Sequence, residues 1–97
     1  LKNESKFTLR CFADYLKKNK TYIIQIEGHT DDIGDRQKNL ILSQNRAALV
    51  KEYLIEQGIE AKRLDSKGFG ESRPKVPNST EENRRKNRRT EFELTIE

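Results

Sequence analysis

With 97 residues the chain is too short for two independent hydrophobic cores, so residues 1–97 are read as one domain. Hydrophobic residues make up 32% and charged residues 37%, which excludes elements that are apolar all round and requires each to gather its apolar side chains on one face. A net charge of +4, the balance of 20 basic and 16 acidic residues, favours an anionic or zwitterionic partner without choosing among nucleic acid, anionic lipid and a carboxylate ligand.

The first apolar periodicity, Leu9, Phe12, Ala13 and Leu16, predicts a helix from about Ser5 to Lys18, with lysines gathered where a helix C-terminus attracts positive charge. Cys11 lies inside this stretch and reads as a small buried residue; as the lone cysteine it excludes an intramolecular disulfide. No run of eighteen apolar residues occurs and no signal-peptide pattern opens the chain. Because the sequence opens on Leu1 and not on an initiator methionine, a domain excised or processed from a longer protein is expected.

Tyr22, Ile24 and Ile26 alternate with Ile23, Gln25 and Glu27 in a β-branched run that ends at Gly28, the pattern of a strand with one wetter face. Asp31 through Asp35, with Gly34, reads as a turn. From Lys38 to Gln57 the positions Asn39, Leu42, Arg46, Val50 and Tyr53 advance by three or four residues, a helical stripe that Ala47 and Leu54 widen and Gly58 terminates. After a short turn at Ala61–Arg63 come a strand, Leu64–Phe69, and a loop holding Gly70, Pro74 and Pro77. Asn78, Ser79 and Thr80 are N-cap candidates for a polar helix to about Asn87, and Phe92, Leu94 and Ile96 mark a last half-buried strand. The order α-β-α-β-α-β predicts an α+β fold, a two-layer sandwich of helices on a mixed sheet.

An arginine on a core-facing stripe demands an anionic partner, and Arg46 is expected to find one in the loop that carries Asp31 and Asp32. Two readings stay open at this point. Either an Asp–Arg bridge ties loop to helix, or both groups stand at a cleft mouth and bind a ligand carrying both charges, its ammonium on the aspartate and its carboxylate on the guanidinium fork. His29 reads as a strand-end residue whose ring nitrogens hold the loop by hydrogen bonds. One histidine and one distant cysteine do not make up a metal-ligand set, and no nucleophile–base pair can be assembled, so neither a metal, a cofactor nor catalysis is expected. Gly68-Phe69-Gly70 lacks the third glycine of a dinucleotide loop and reads as a bend.

The basic run Asn83–Arg89, NRRKNRR, supports an alternative, a nucleic-acid or anionic-surface binding module. No platform of aromatic residues accompanies it, which weakens a nucleic-acid reading. Since the run leads directly into the last strand, Arg88 or Arg89 is expected to turn toward the same cleft as Arg46.

Taken together, the separated blocks IEGHTDDIG at 26–34, Asn39, LSQNRA at 42–47, GI at 58–59, KGFGESRP at 67–74 and NRRTEFEL at 87–94 resemble, in order and spacing, the OmpA-like peptidoglycan-binding domain. The resemblance implies a non-catalytic, βαβαβ-type domain that grips the diaminopimelate residue of the peptidoglycan stem peptide and anchors an outer-membrane protein to the cell wall from the periplasm. It assigns the ammonium and carboxylate partners of that residue to Asp31 and Arg46. Asn39 and Arg88 line the same pocket, and Thr30, Asp32 and Leu42 supply backbone or packing contacts. The family's usual opening strand, of the type F-x-x-x-S, is not recognisable here, so the first strand is expected to be missing or atypical and one sheet edge to be open.

Overall fold

In the computed structural model, which describes residues 3–96, the first apolar periodicity forms helix α1, Asn3–Lys18. Its Leu9, Ala13 and Leu16 point into the core, whereas Phe7, Cys11 and Tyr15, spaced four apart, are on the outward face. The expectation of a buried Cys11 is therefore corrected: it falls one helical position away from the inward row. Strand β1, Tyr22–His29, follows, then helix α2, Arg36–Glu56, a 3-10 turn at Ala61–Arg63, strand β2, Leu64–Gly70, helix α3, Glu81–Asn87, and strand β3, Arg89–Ile96.

The sheet order is β2-β1-β3, with β1 parallel to β2 and antiparallel to β3. Helix α2 is the crossover that a parallel pair requires. One face of the sheet carries the core, built from Ile24 and Ile26 of β1, Leu64 of β2, the inward row of α1 and Ala47, Val50 and Leu54 of α2. Phe12 of α1 packs on Phe92 of β3 with ring centroids 4.7 Å apart. The outer edges of β2 and β3 have no strand partner among the described residues.

Two glycines set how the layers meet. A Cβ on Gly28 would lie 2.2 Å from the Ser43 carbonyl oxygen, and one on Gly68 would lie 2.4 Å from the Gln44 backbone nitrogen. Helix α2 therefore rests its backbone directly on β1 and β2, and Ser43 Oγ accepts a hydrogen bond from the Gly70 N–H at 2.9 Å while donating to the Leu40 carbonyl at 2.7 Å. Gly68-Phe69-Gly70 is thus no bend but the end of β2, which runs through Gly70 before the chain turns. Gly58, at φ 101°, ends α2 in the left-handed region as its position predicts.

The side chains that face the core from α2 are Ser43, Ala47, Val50 and Leu54. This row is rotated from the one expected. Of the expected face, Ala47, Val50 and Leu54 are buried; Leu42 and Arg46 are exposed, and Asn39 and Tyr53 lie half-buried on the shoulder. The buried guanidinium of the chain is instead Arg63, 8% exposed, which donates to the carbonyls of Leu16, Asn19 and Tyr22. It needs no carboxylate, because the unpaired carbonyls where α1 ends are both acceptors and the negative end of the helix dipole.

Candidate functional site

β1 delivers the chain at His29 to the loop 30–35, which is built by its own short-range hydrogen bonds. The Thr30 N–H donates to the Gly70 carbonyl at 2.9 Å, and Thr30 Oγ1 donates to the Asp31 carbonyl at 2.9 Å. Asp35 caps α2, its Oδ1 accepting from the Gln37 N–H at 2.8 Å. One turn into the helix, Asn39 Nδ2 reaches back to donate to the Ile33 carbonyl at 2.9 Å and the Asp31 carbonyl at 3.4 Å. The loop is closed on itself by the helix that follows it, and Asn39 is the clasp.

Inside this loop stands Asp31, 8% exposed. Its Oδ1 accepts from the Ile33 N–H at 3.0 Å, and its Oδ2 accepts from Arg88 Nη1 at 2.6 Å. Burial pushes the carboxyl pKa upward, but the hydrogen bonds from Arg88 and Ile33, with the charges of Arg88 and Arg84, outweigh it and hold Asp31 below the usual carboxylate value. The same Arg88 nitrogen donates to Glu81 Oε1 at 3.0 Å. Asp31 is therefore a buried, firmly ionised carboxylate at the end of the sheet.

Arg88 owes its place to its neighbour Asn87, which is fully buried. Asn87 Oδ1 accepts from the Lys75 and Val76 N–H groups at 2.8 and 3.1 Å, and Nδ2 donates to the Val76 carbonyl and Asn78 Oδ1 at 2.8 and 2.7 Å. This side chain staples the loop 75–78 to the end of α3. The sequence offered one signal for it, its position between a basic helix and a strand, but nothing in residue type marked it as the pivot.

Arg46 is exposed and makes no ion pair among the described residues, which corrects the expectation that it bridges to Asp31. The reason is the phase of α2: with Ser43 and Ala47 inward, Arg46 stands on the shoulder beside Asn39 and Leu42. Asn39 and Arg46 are seven residues apart, about 10 Å along the helix axis. The Asp–Arg bridge exists, but its arginine is Arg88, from the opposite end of the sequence. Arg46 is left with a free guanidinium on the same side of α2 as the clasp residue Asn39, and helical side chains lean toward the N-terminus, here toward the loop. Asp32 is exposed beside Asp31, and Leu42 is 42% exposed on the same shoulder.

On the other face of the sheet, His29 is buried at 2% exposure and stacks on Phe69 with ring centroids 5.4 Å apart. Both ring nitrogens lack a hydrogen-bond partner, so the expectation that they hold the loop is corrected; backbone and Asn39 do that work. Glu91 Oε2 lies 3.7 Å and Glu27 Oε1 4.0 Å from Nε2. Burial lowers the His29 pKa, aided by the positive charge of Arg89 and opposed by Glu91. Arg89 is occupied by Glu91 and by the carbonyls of Asn87 and Arg73, so of the two C-terminal arginines only Arg88 turns to Asp31.

A family model described as the OmpA family matches residues 1–88. Outer membrane porin F of Pseudomonas aeruginosa is 39% identical over 98 aligned residues, which cover 100% of this chain and 28% of the porin, so the chain spans little more than a quarter of that relative. Among solved structures, the C-terminal domain of Helicobacter pylori MotB superposes with a TM-score of 0.93 at 28% identity, covering 100% of this chain and 76% of that one. The peptidoglycan-associated lipoprotein of Burkholderia pseudomallei superposes with a TM-score of 0.92 at 27% identity, covering 98% of this chain and 80% of that one.

Proposed function

Since this chain belongs to the OmpA family, we propose that it is a non-catalytic domain that binds peptidoglycan reversibly through the diaminopimelate residue of the stem peptide. In this reading it anchors an outer-membrane protein to the wall from the periplasmic side. The observation that carries the reading is an ionised, 8% exposed Asp31 on a loop clasped to a helix whose same shoulder offers the unpaired guanidinium of Arg46.

Opposite charges that do not satisfy each other can be satisfied together by a zwitterion. The ammonium of the ligand goes to Asp31, and its carboxylate goes to Arg46, whose planar fork donates two parallel hydrogen bonds to it. Asn39 keeps the loop in register, Thr30 fixes the backbone of Asp31, Asp32 adds negative potential on the ammonium side, and Leu42 offers an apolar wall to the methylene chain between the charges. Arg88 holds Asp31 in its ionised form before the ligand arrives. The domain of the Burkholderia relative, named as peptidoglycan-associated, has the same fold, which supports the choice of ligand class.

The alternative based on Asn83–Arg89 is weakened because Arg84, Arg88 and Arg89 are committed to Asn78, Asp31 with Glu81, and Glu91 respectively. Calorimetry with a diaminopimelate-containing tripeptide, alongside pull-down of purified sacculi, tests the two against each other. Asp31→Asn and Arg46→Ala should each weaken binding by about 2–5 kcal/mol, because each leaves a ligand charge desolvated and unpaired. Arg85→Ala should leave binding unchanged. Binding that survives both site variants, or that depends on Arg85 and collapses with salt, overturns the proposal.

A further inference from the structure

Each oxygen of Asp31 already accepts one hydrogen bond, Oδ1 from the Ile33 N–H and Oδ2 from Arg88, which leaves about one lone pair on each for a ligand. An incoming ammonium group that takes these lone pairs shares the single charge of Asp31 with Arg88 and loosens its hold on the guanidinium. If Asp31 were the only partner of that guanidinium, every binding event would leave an arginine uncompensated at the site, and the ligand would be opposed by the loss. The structure holds a second acceptor in readiness. Glu81 Oε1 sits 3.0 Å from the same Arg88 Nη1 that bonds Asp31.

We propose that Glu81 is a positioning residue of the site, a standby carboxylate that takes over Arg88 when the ammonium of a ligand takes Asp31. The inference rests on the diaminopimelate reading above. Both ends of the exchange are fixed by α3. Thr80 caps the helix, its Oγ1 accepting from the Asn83 N–H at 3.1 Å, and Asn87 pins the other end, so Glu81 and Arg88 stand seven residues apart on one face, about two turns. The hierarchy of the two carboxylates is visible in their surroundings. Asp31 is buried and makes the shorter bond, 2.6 Å, whereas the Glu81 side chain is 55% exposed and weakly held, the right properties for a partner that waits.

Two carboxylates on one guanidinium leave a local charge of minus one, which complements an ammonium and repels a lone carboxylate. Glu81 thereby also sets direction: the amine end of a zwitterion is drawn to Asp31 and the carboxylate end is pushed along α2 toward Arg46. Sequence reading passed over Glu81 because an acidic residue in the first turn of a helix is explained by the helix dipole alone.

The test is a titration of two probes, the diaminopimelate tripeptide with its free amine and the same peptide N-acetylated at that amine, into four proteins: wild type, Glu81→Gln, Arg88→Gln and the double variant. Glu81→Gln should weaken the free-amine peptide about fivefold, the upper range for a partly exposed pair, and leave the weak binding of the acetylated peptide unchanged. In the Arg88→Gln background the same substitution should do nothing, because there is no guanidinium to hand over. An equal loss in both backgrounds would mean that Glu81 acts only through its field, and no loss in either would mean that it is a bystander; both overturn the proposal. Urea unfolding of each variant separates these outcomes from loss of fold. If wild type itself gives no saturable heat with the free-amine peptide, the diaminopimelate reading fails and this inference falls with it.

Discussion

At the scale of single residues, the fold turns on positions where nothing larger fits. Gly28 lies at 2.2 Å from the backbone of α2 once a Cβ is imagined on it, and a helix backbone cannot step aside as a side-chain tip can. Gly28→Ala should therefore push α2 off β1 and cost about 3 kcal/mol or more, at the upper end for overpacking. Gly34 is the internal control: it has φ 90° but open space around its Cβ position, so Gly34→Ala should cost only the left-handed backbone strain, about 1 kcal/mol. Urea denaturation of the two variants checks the contrast, and comparable losses would show that backbone conformation, not close approach, governs Gly28. These contacts also explain what the sequence hid. Ile41, Leu42 and Leu49 are larger and more apolar than Ser43 and Ala47, yet they are exposed while the small pair is buried. Reading hydrophobicity finds Ala47, Val50 and Leu54 but misses Ser43, because the sheet opposite is glycine and only small residues let the backbones meet.

At the scale of elements, every helix and strand is legible in the sequence to within a few residues, because each has its own periodicity, cap or terminating glycine. What escapes local reading is which elements meet. Asp31 and Arg88 are both recognisable as candidate site residues, but their bond joins positions 57 apart in the chain, and no spacing rule reaches that far. Asn87 escapes for the same reason, since its four partners lie across a loop whose path the sequence does not specify. Asn87→Ala leaves those loop groups without their partner and should cost about 2–3 kcal/mol. It should also weaken tripeptide binding, because Arg88 loses the anchor that aims it at Asp31. Asn87→Asp keeps the acceptor for the Lys75 and Val76 N–H groups but turns a buried carboxylate oxygen onto the Val76 carbonyl and Asn78 Oδ1, so at neutral pH it should cost at least as much as alanine. Calorimetric binding and denaturation measured on the same samples check both halves; an Asn87→Ala variant that binds normally would separate the loop staple from the site.

At the scale of the whole molecule, two groups on the outer face of the sheet respond to pH in opposite senses, and the balance is measurable. His29 is buried without a hydrogen-bond partner, and its pKa is depressed from 6.5 by burial, then by Arg89. Below that value the unfolded chain binds more protons than the folded one, so the His29 contribution is intact above about pH 6.5 and is lost as pH falls. Glu27 lies beside it with its pKa raised from 4.5 by burial and by Glu93 and Glu91, against the pull of Arg73. There the folded state holds the proton longer, so stability from Glu27 is greatest at low pH and is lost as pH rises through the raised value. Asp31 and Glu91 are depressed and matter only lower, where acid removes their pairing with Arg88 and Arg89. Between the two ordinary values, about pH 4.5 and pH 6.5, the slope of unfolding free energy is then a contest between His29 and Glu27. In His29→Gln, which removes the titrating ring, only the Glu27 term remains and stability should rise as the solution is acidified across that window. In Glu27→Gln the opposite slope should stand alone and steepen. Urea unfolding at half-unit pH steps reads both directly. Parallel curves for the two variants would mean that neither group's burial is coupled to folding and that the outer face of the sheet opens to water before it titrates.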